Sequence, residues 1–198
     1  MKIGIQNKDI RSVKCDILAL NVFEGTIRPA GELSAVDKAL KGMISSMISG
    51  KDISGGKSSH LLLHTHGKIS AKYVLLVGCG KRDEFDLEAV RIYAAEIIKQ
   101  AKKVKAGIVA AVIPSDAVSG AGPFDACRSF LESAELRDYE FTGYKSDKKN
   151  NDRASLEEMI LIEHDPSYAK TYKKAADLAR ICAGAANKAR ELVNMPSN

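Results

Sequence analysis

Apolar runs of strand length recur along the chain: DILALNV (16–22), HLLLHTH (60–66), YVLLVGCG (73–80), AGIVAAVIP (106–114) and EMILIEH (158–164). DILALNV is apolar at almost every position instead of at alternate ones, as a strand covered on both faces requires. The segments between these runs carry a helical period instead. In 86–105, Leu87, Val90, Ala94, Ile97 and Ala101 form one stripe, Asp86 is placed to cap the start, and lysines crowd the end, where they offset the helix dipole. A second helical pattern covers 33–49 through Leu33, Val36, Leu40, Ile44 and Met47, and a third covers 123–136. The amino-terminal KIGIQ alternates as a half-covered strand does. The predicted order is β-β-α-β-β-α-β-α-β-α. Strands alternating with helices imply α/β architecture, a three-layer α/β/α sandwich around a mixed, mostly parallel sheet. Short connections between some adjacent strands supply the antiparallel component.

The carboxy-terminal pattern differs from the others. Asp165 and Pro166 mark a helix start, and Tyr168, Tyr172, Ala175, Ala179, Cys182, Ala186, Ala189 and Val193 follow at spacings of four and three. This seam is roughly 40 Å long at 1.5 Å per residue, against a radius of gyration of roughly 16 Å for a domain of this size. Residues Tyr168 to Ala179 read as core packing, and the part beyond Cys182 as a connector toward a partner outside the chain. The division predicted is a domain over 1–164 and a long helix and junction over 165–198.

Size and charge narrow the function. The 198 residues suffice for one sizeable core, and 45% hydrophobic with 28% charged residues is ordinary for a globular chain. No apolar run approaches the roughly 18 residues of a membrane span. A net charge of +5 is mild, whereas a nucleic-acid surface needs a concentrated basic patch. The four cysteines are scattered without a C-x-x-C pair, so Cys15, Cys79 and Cys127 read as reduced core thiols and the expected location is cytoplasmic.

Several segments invite a chemical reading. Gly56, Lys57 and Ser58 match the end of a phosphate-binding loop, but Lys51 stands where its first glycine belongs, and a helix precedes the loop instead of following it. The stretch therefore reads as a flexible surface loop. Gly78 and Gly80 follow a strand, as in a dinucleotide fingerprint, but Asp83 replaces its third glycine, which leaves a tight strand-to-helix turn. His64 and His66 share one face of a strand, because strand side chains alternate, with His60 nearby; a metal pair and a polar strand end both fit. Tyr139, Phe141 and Tyr144 interleave with Lys145, Lys148, Lys149 and Arg153, a pattern that stacks bases or, more commonly, anchors a solvated loop. No nucleophile–base pair or complete catalytic constellation emerges.

Three segments in order are similar to the amino-terminal domain of the leucyl aminopeptidase (cytosol aminopeptidase) family: YVLLVGCGK (73–81), YEFTGYKSDKK (139–149) and ARELVNMPSN (189–198). In the last, Arg190, Leu192, Val193, Asn194, Pro196 and Asn198 stand in the family's places, with Ser197 where a second proline is common. The resemblance implies that this chain is the non-catalytic part of a longer, hexameric enzyme that removes amino-terminal residues such as leucine from peptides. Its chemistry would rest on two divalent metals, zinc or manganese, held by a following catalytic domain and driving two-metal hydrolysis. No catalytic, cofactor-binding or metal-binding residue transfers to this chain, which by itself is expected to be inactive. The family's first domain also resembles macro domains, which bind ADP-ribose; Asp9, Ile10, Asn21 and Asp37 have counterparts there. Where macro domains carry a glycine-rich diphosphate loop, this chain has Pro29-Ala30-Gly31-Glu32. Proline lacks an amide donor and glutamate repels phosphate, so the resemblance implies a kept fold and a lost nucleotide site. An ADP-ribose module and a nucleic-acid-binding domain are the alternative functions.

Overall fold

The computed structural model describes residues 1–141 and 156–195. Six strands form one sheet: β1 (Lys2–Gln6), β2 (Ile17–Val22), β3 (His60–His64), β4 (Tyr73–Gly78), β5 (Ile108–Val112) and β6 (Glu158–Ile162), in the order β1-β6-β5-β2-β4-β3. All neighbours are parallel except β3 and β4, where Leu62 lies opposite Leu75. Helices α1 (Gly31–Ala39) and α2 (Met43–Ser49) cover one face; α3 (Leu87–Lys103), α4 (Pro123–Asp138) and α5 (Ala169–Asn194) cover the other. The mixed α/β/α sandwich predicted from the apolar runs is the fold observed. Residues 17–20 of central β2 are 0–2% exposed, which explains why that strand cannot alternate.

The helix predicted over 33–49 is two helices. Lys41 and Gly42 are both left-handed, at φ 58° and 81°, and Gly42 N–H closes onto the Asp37 carbonyl at 2.9 Å. Glycine accepts that conformation without the Cβ clash, and the apolar spacing continues across the break because both helices bury residues against the same sheet face. Asp37 holds the corner from inside. It is buried, and its carboxylate accepts from the Ser45 backbone N–H at 3.0 Å and from the Ser45 hydroxyl.

The predicted flexible loop over 49–59 is instead docked. Ile53 is 4% exposed, Gly55 is buried, and Gly80 N–H donates to the Gly55 carbonyl at 2.8 Å. Gly78 N–H reaches the Ser59 carbonyl at 2.7 Å. A Cβ on Gly78 would lie 2.1 Å from the Gly56 oxygen, so glycine at 78 is what lets the loop lie on the end of β4.

α5 begins after a single 3₁₀ turn, Pro166–Tyr168, whose start is capped by the Asp165 carboxylate at 2.8 Å from Ser167 N–H. Its buried stripe is Tyr172, Ala175, Ala176, Ala179 and Ala183, packed along α4. Cys182, placed in the seam by a strict 3.5 spacing, is exposed. A straight helix turns every 3.6 residues, so a 3.5-residue seam drifts by about 20° per heptad and the contact passes to Ala183. Beyond it, Asn187 and Arg190 donate to the Glu135 and Leu136 carbonyls at the end of α4, while Ile181, Leu192 and Val193 are 69%, 58% and 83% exposed.

Candidate functional site

At the carboxyl ends of the parallel strands the chain passes from β2 into α1 on one face of the sheet, and from neighbouring β5 into α4 on the other. Where adjacent strands send their helices to opposite faces, a crevice opens between them, the usual ligand position in open α/β sheets. Here it is a cleft of about 620 Å³. Its floor carries Leu20 and Phe23 from β2 and the turn after it, Val112 and Ile113 from β5 and its exit, and Ile162 from β6. Polar groups enter from Asn21 near the end of β2 and from the segments that follow the strands: Arg28, Glu32, Arg82, Asp116, Glu163 and His164.

Most of these charges are already engaged. Arg82 lies 3.2 Å from Asp116 and 5.3 Å from the Phe23 ring centroid, so it spans from one wall to the other. His164 Nε2 lies 3.6 Å from Glu32 in the first turn of α1. Glu163 accepts the Asp165 N–H at 2.9 Å. Beneath the cleft, burial pushes the Tyr172 hydroxyl well above the usual phenol range, with Ser115 and Glu163 beside it. Asp9, which caps the 3₁₀ turn Ile10–Ser12, accepts from Arg11 Nε at 2.9 Å. Those hydrogen bonds from Arg11, with a smaller attraction from His164, lower its carboxyl to about 2.

The residues singled out in the sequence scatter. Asn21 and the Ala30-Gly31-Glu32 stretch line the cleft, Asp9 is occupied with Arg11, and Asp37 is withdrawn as the buried brace of α2. The histidines do not form a metal pair on one strand face. β3 ends at His64, and His66 sits in a left-handed turn at φ 51°, its N–H donating to His64 Nδ1 at 2.9 Å. His60 turns instead toward buried Glu96 of α3, at 3.0 Å. Among the described residues, no three His, Cys, Asp or Glu side chains stand together as metal ligands. The described side chains therefore do not fit a two-metal centre. Tyr139 and Phe141 are half-buried beside the end of α4; Tyr144 to Arg153 and Pro196 to Asn198 lie outside the described residues. Arg82, Asp116 and Glu163 were missed as site residues because no motif joins them. The available signal was their position just after the ends of β4, β5 and β6.

Comparison with known proteins gives a family. The profile described as "Cytosol aminopeptidase family, N-terminal domain" matches residues 19–148. Probable cytosol aminopeptidases of Alkaliphilus oremlandii and of a Sulfurihydrogenibium species are each 30% identical across 100% of this chain, but over only 39% and 38% of their own lengths. The chain thus spans about two fifths of the curated relatives it matches. Among solved structures, a tomato leucine aminopeptidase mutant superimposes with a TM-score of 0.79 at 19% identity, covering 99% of this chain and 38% of that one. The Trypanosoma brucei macrodomain in complex with ADP-ribose gives 0.68 at 16% identity, covering 87% and 68%. These structural likenesses are likenesses of fold.

Proposed function

The chain belongs to the cytosol aminopeptidase family as its N-terminal domain, and on that premise we propose that it is the non-catalytic part of a larger leucyl aminopeptidase. The observation that carries the reading is the one-sided coverage: all of this chain aligns, yet about three fifths of each relative has no counterpart in it. The chemistry is assigned to that remainder, as removal of amino-terminal residues from peptides by two divalent metals, zinc or manganese, that polarise the scissile carbonyl and activate a water. Residues 1–164 then form the macro-domain-like body, and 165–198 the connector toward the catalytic part. The uncovered distal half of α5 supports this division, since Ile181, Leu192, Val193 and Met195 leave an apolar surface for that part to cover. The domain's work in the parent is to shape access to the active site and support a homo-oligomer, a hexamer, in the cytoplasm.

The test is hydrolysis of leucyl-4-nitroanilide with added manganese or zinc, by this chain and by a protein of the relatives' full length. The reading expects metal-dependent turnover from the long protein, abolished by chelation, and none from the chain alone. Turnover by the purified chain, or a long protein inactive on every leucyl substrate, would overturn it.

A further inference from the structure

We infer that the cleft at the strand ends binds a small zwitterion with an apolar side chain, an α-amino acid or short peptide. The claim goes beyond the proposed function and rests on this domain alone. The cleft volume of about 620 Å³ lies within the usual range for small-molecule sites, roughly 300–1,000 Å³, and the cleft occupies the sheet's topological switch point. Its charges select the ligand. Asp116 is paired with Arg82, and Glu32 faces the His164 imidazole at 3.6 Å, which leaves Glu163 as the cleft carboxylate with no basic side chain beside it. Glu163 accepts the Asp165 N–H and has the buried Tyr172 hydroxyl beside it, and the remaining acceptor sites of its carboxylate are available to a ligand donor. Arg28, exposed on the lip, makes no ion pair among the described residues, and the Asn21 amide is half-buried without a hydrogen bond to them. One uncommitted cation, one carboxylate with acceptor capacity and one neutral amide therefore surround an apolar floor.

That arrangement suits a ligand carrying an ammonium and a carboxylate, with the ammonium toward Glu163, the carboxylate toward Arg28 and an aliphatic side chain on Phe23 and Ile113. It does not suit a diphosphate. Three cleft carboxylates outnumber two guanidinium groups, Glu32 occupies the first turn of α1, and Pro29 has no N–H to offer.

The experiment is calorimetry on the 198-residue chain with L-leucylglycine, its N-acetyl form, its carboxamide and ADP-ribose. The dipeptide should bind saturably, and each blocked form should bind at least about tenfold more weakly, as loss of a charged hydrogen bond implies. Glu163→Gln and Arg28→Ala should each weaken the dipeptide by about tenfold, with thermal unfolding recorded beside them. The analogue series uses the unaltered chain, so it decides even if a variant unfolds. No saturation by about 10 mM, equal binding of the blocked forms, or tighter binding of ADP-ribose would each overturn the inference. None of these outcomes bears on hydrolysis by the longer protein, so the two readings fail separately.

Discussion

Replacing Gly78 by alanine tests how the 53–59 loop is held. Gly78 ends β4 and is buried, and an added Cβ would meet the Gly56 carbonyl oxygen and the Ser59 Oγ at 2.1 Å each, and the Gly55 carbonyl carbon at 2.7 Å. The Ser59 hydroxyl can rotate away, but the two glycine contacts are backbone. The loop must therefore retreat by about 1 Å to reach ordinary contact. That retreat stretches the 2.7 Å bond from Gly78 N–H to Ser59 and the 2.8 Å bond from Gly80 N–H to Gly55. Overpacking of this kind costs about 1–3 kcal/mol, and weakening two buried hydrogen bonds adds about 1 kcal/mol. A total near 3 kcal/mol corresponds to a fall in Tm of about 6–12 °C for a chain of this length. Thermal unfolding followed by circular dichroism reads the fall, and hydrogen exchange should show faster exchange at the Gly78 and Gly80 amides. Gly184→Ala is the control: nothing lies within 4 Å of its added Cβ, and alanine favours a helix over glycine by about 0.5–1 kcal/mol, so Tm should rise slightly. A Gly78→Ala protein melting within about 2 °C of the parent, with unchanged exchange, would refute the docking argument.

Three further outcomes follow from the same structure. Burial acts to raise the Glu96 carboxyl, but hydrogen bonds from Gln100 and Lys99 and the charges of Lys99 and His60 together hold it below the ordinary carboxylate range. Its stabilising contribution is then present above its unfolded pKa and lost as pH falls through the folded value. Glu96→Gln should lower Tm by about 3–6 °C at pH 7, with the gap to the parent closing on acidification toward pH ~3. Burial pushes the thiols of Cys15, Cys79 and Cys127 up to about 12, while Cys182 is exposed, so a thiol reagent should label one cysteine in the native chain and four in denaturant, counted by mass spectrometry. On α5, Val193→Ser at 83% exposure should shift stability by less than about 0.5 kcal/mol in urea unfolding, whereas Ala179→Leu, fully buried against α4, should cost about 1–3 kcal/mol.

Much of the fold was legible because its signals are local. The unbroken apolar run at 17–20 announced a strand covered on both faces and the run at 74–77 a further strand, and both are strands with every one of those residues buried. The Asp86 cap and the stripe from Leu87 to Ala101 located α3, and Asp86 does accept from Ala89 N–H at 2.8 Å. The break at Lys41–Gly42 was hidden because α1 and α2 face the same side of the sheet, so the apolar spacing runs through the corner. The 49–59 loop looked free because glycine and serine mark mobility in isolation, whereas here the absence of side chains permits close backbone approach. The cleft was the least legible feature, since its polar residues come one or two at a time from the ends of separate strands and share no motif.

What the sequence by itself determined was the six strands and their order, the helices apart from the α1–α2 break, the layered α/β class and the family, because run length, period, capping residues and ordered motifs are properties of neighbouring residues. Only the tertiary structure decided that β5 lies beside β2, that Asp37 braces α2 instead of entering the cleft, and that Arg82 meets Asp116 across 34 positions of chain. Those outcomes depend on which distant surfaces pack together. A hydrophobic face specifies that it must be covered but not by what, because apolar burial is nearly non-directional until the whole core competes for the same space.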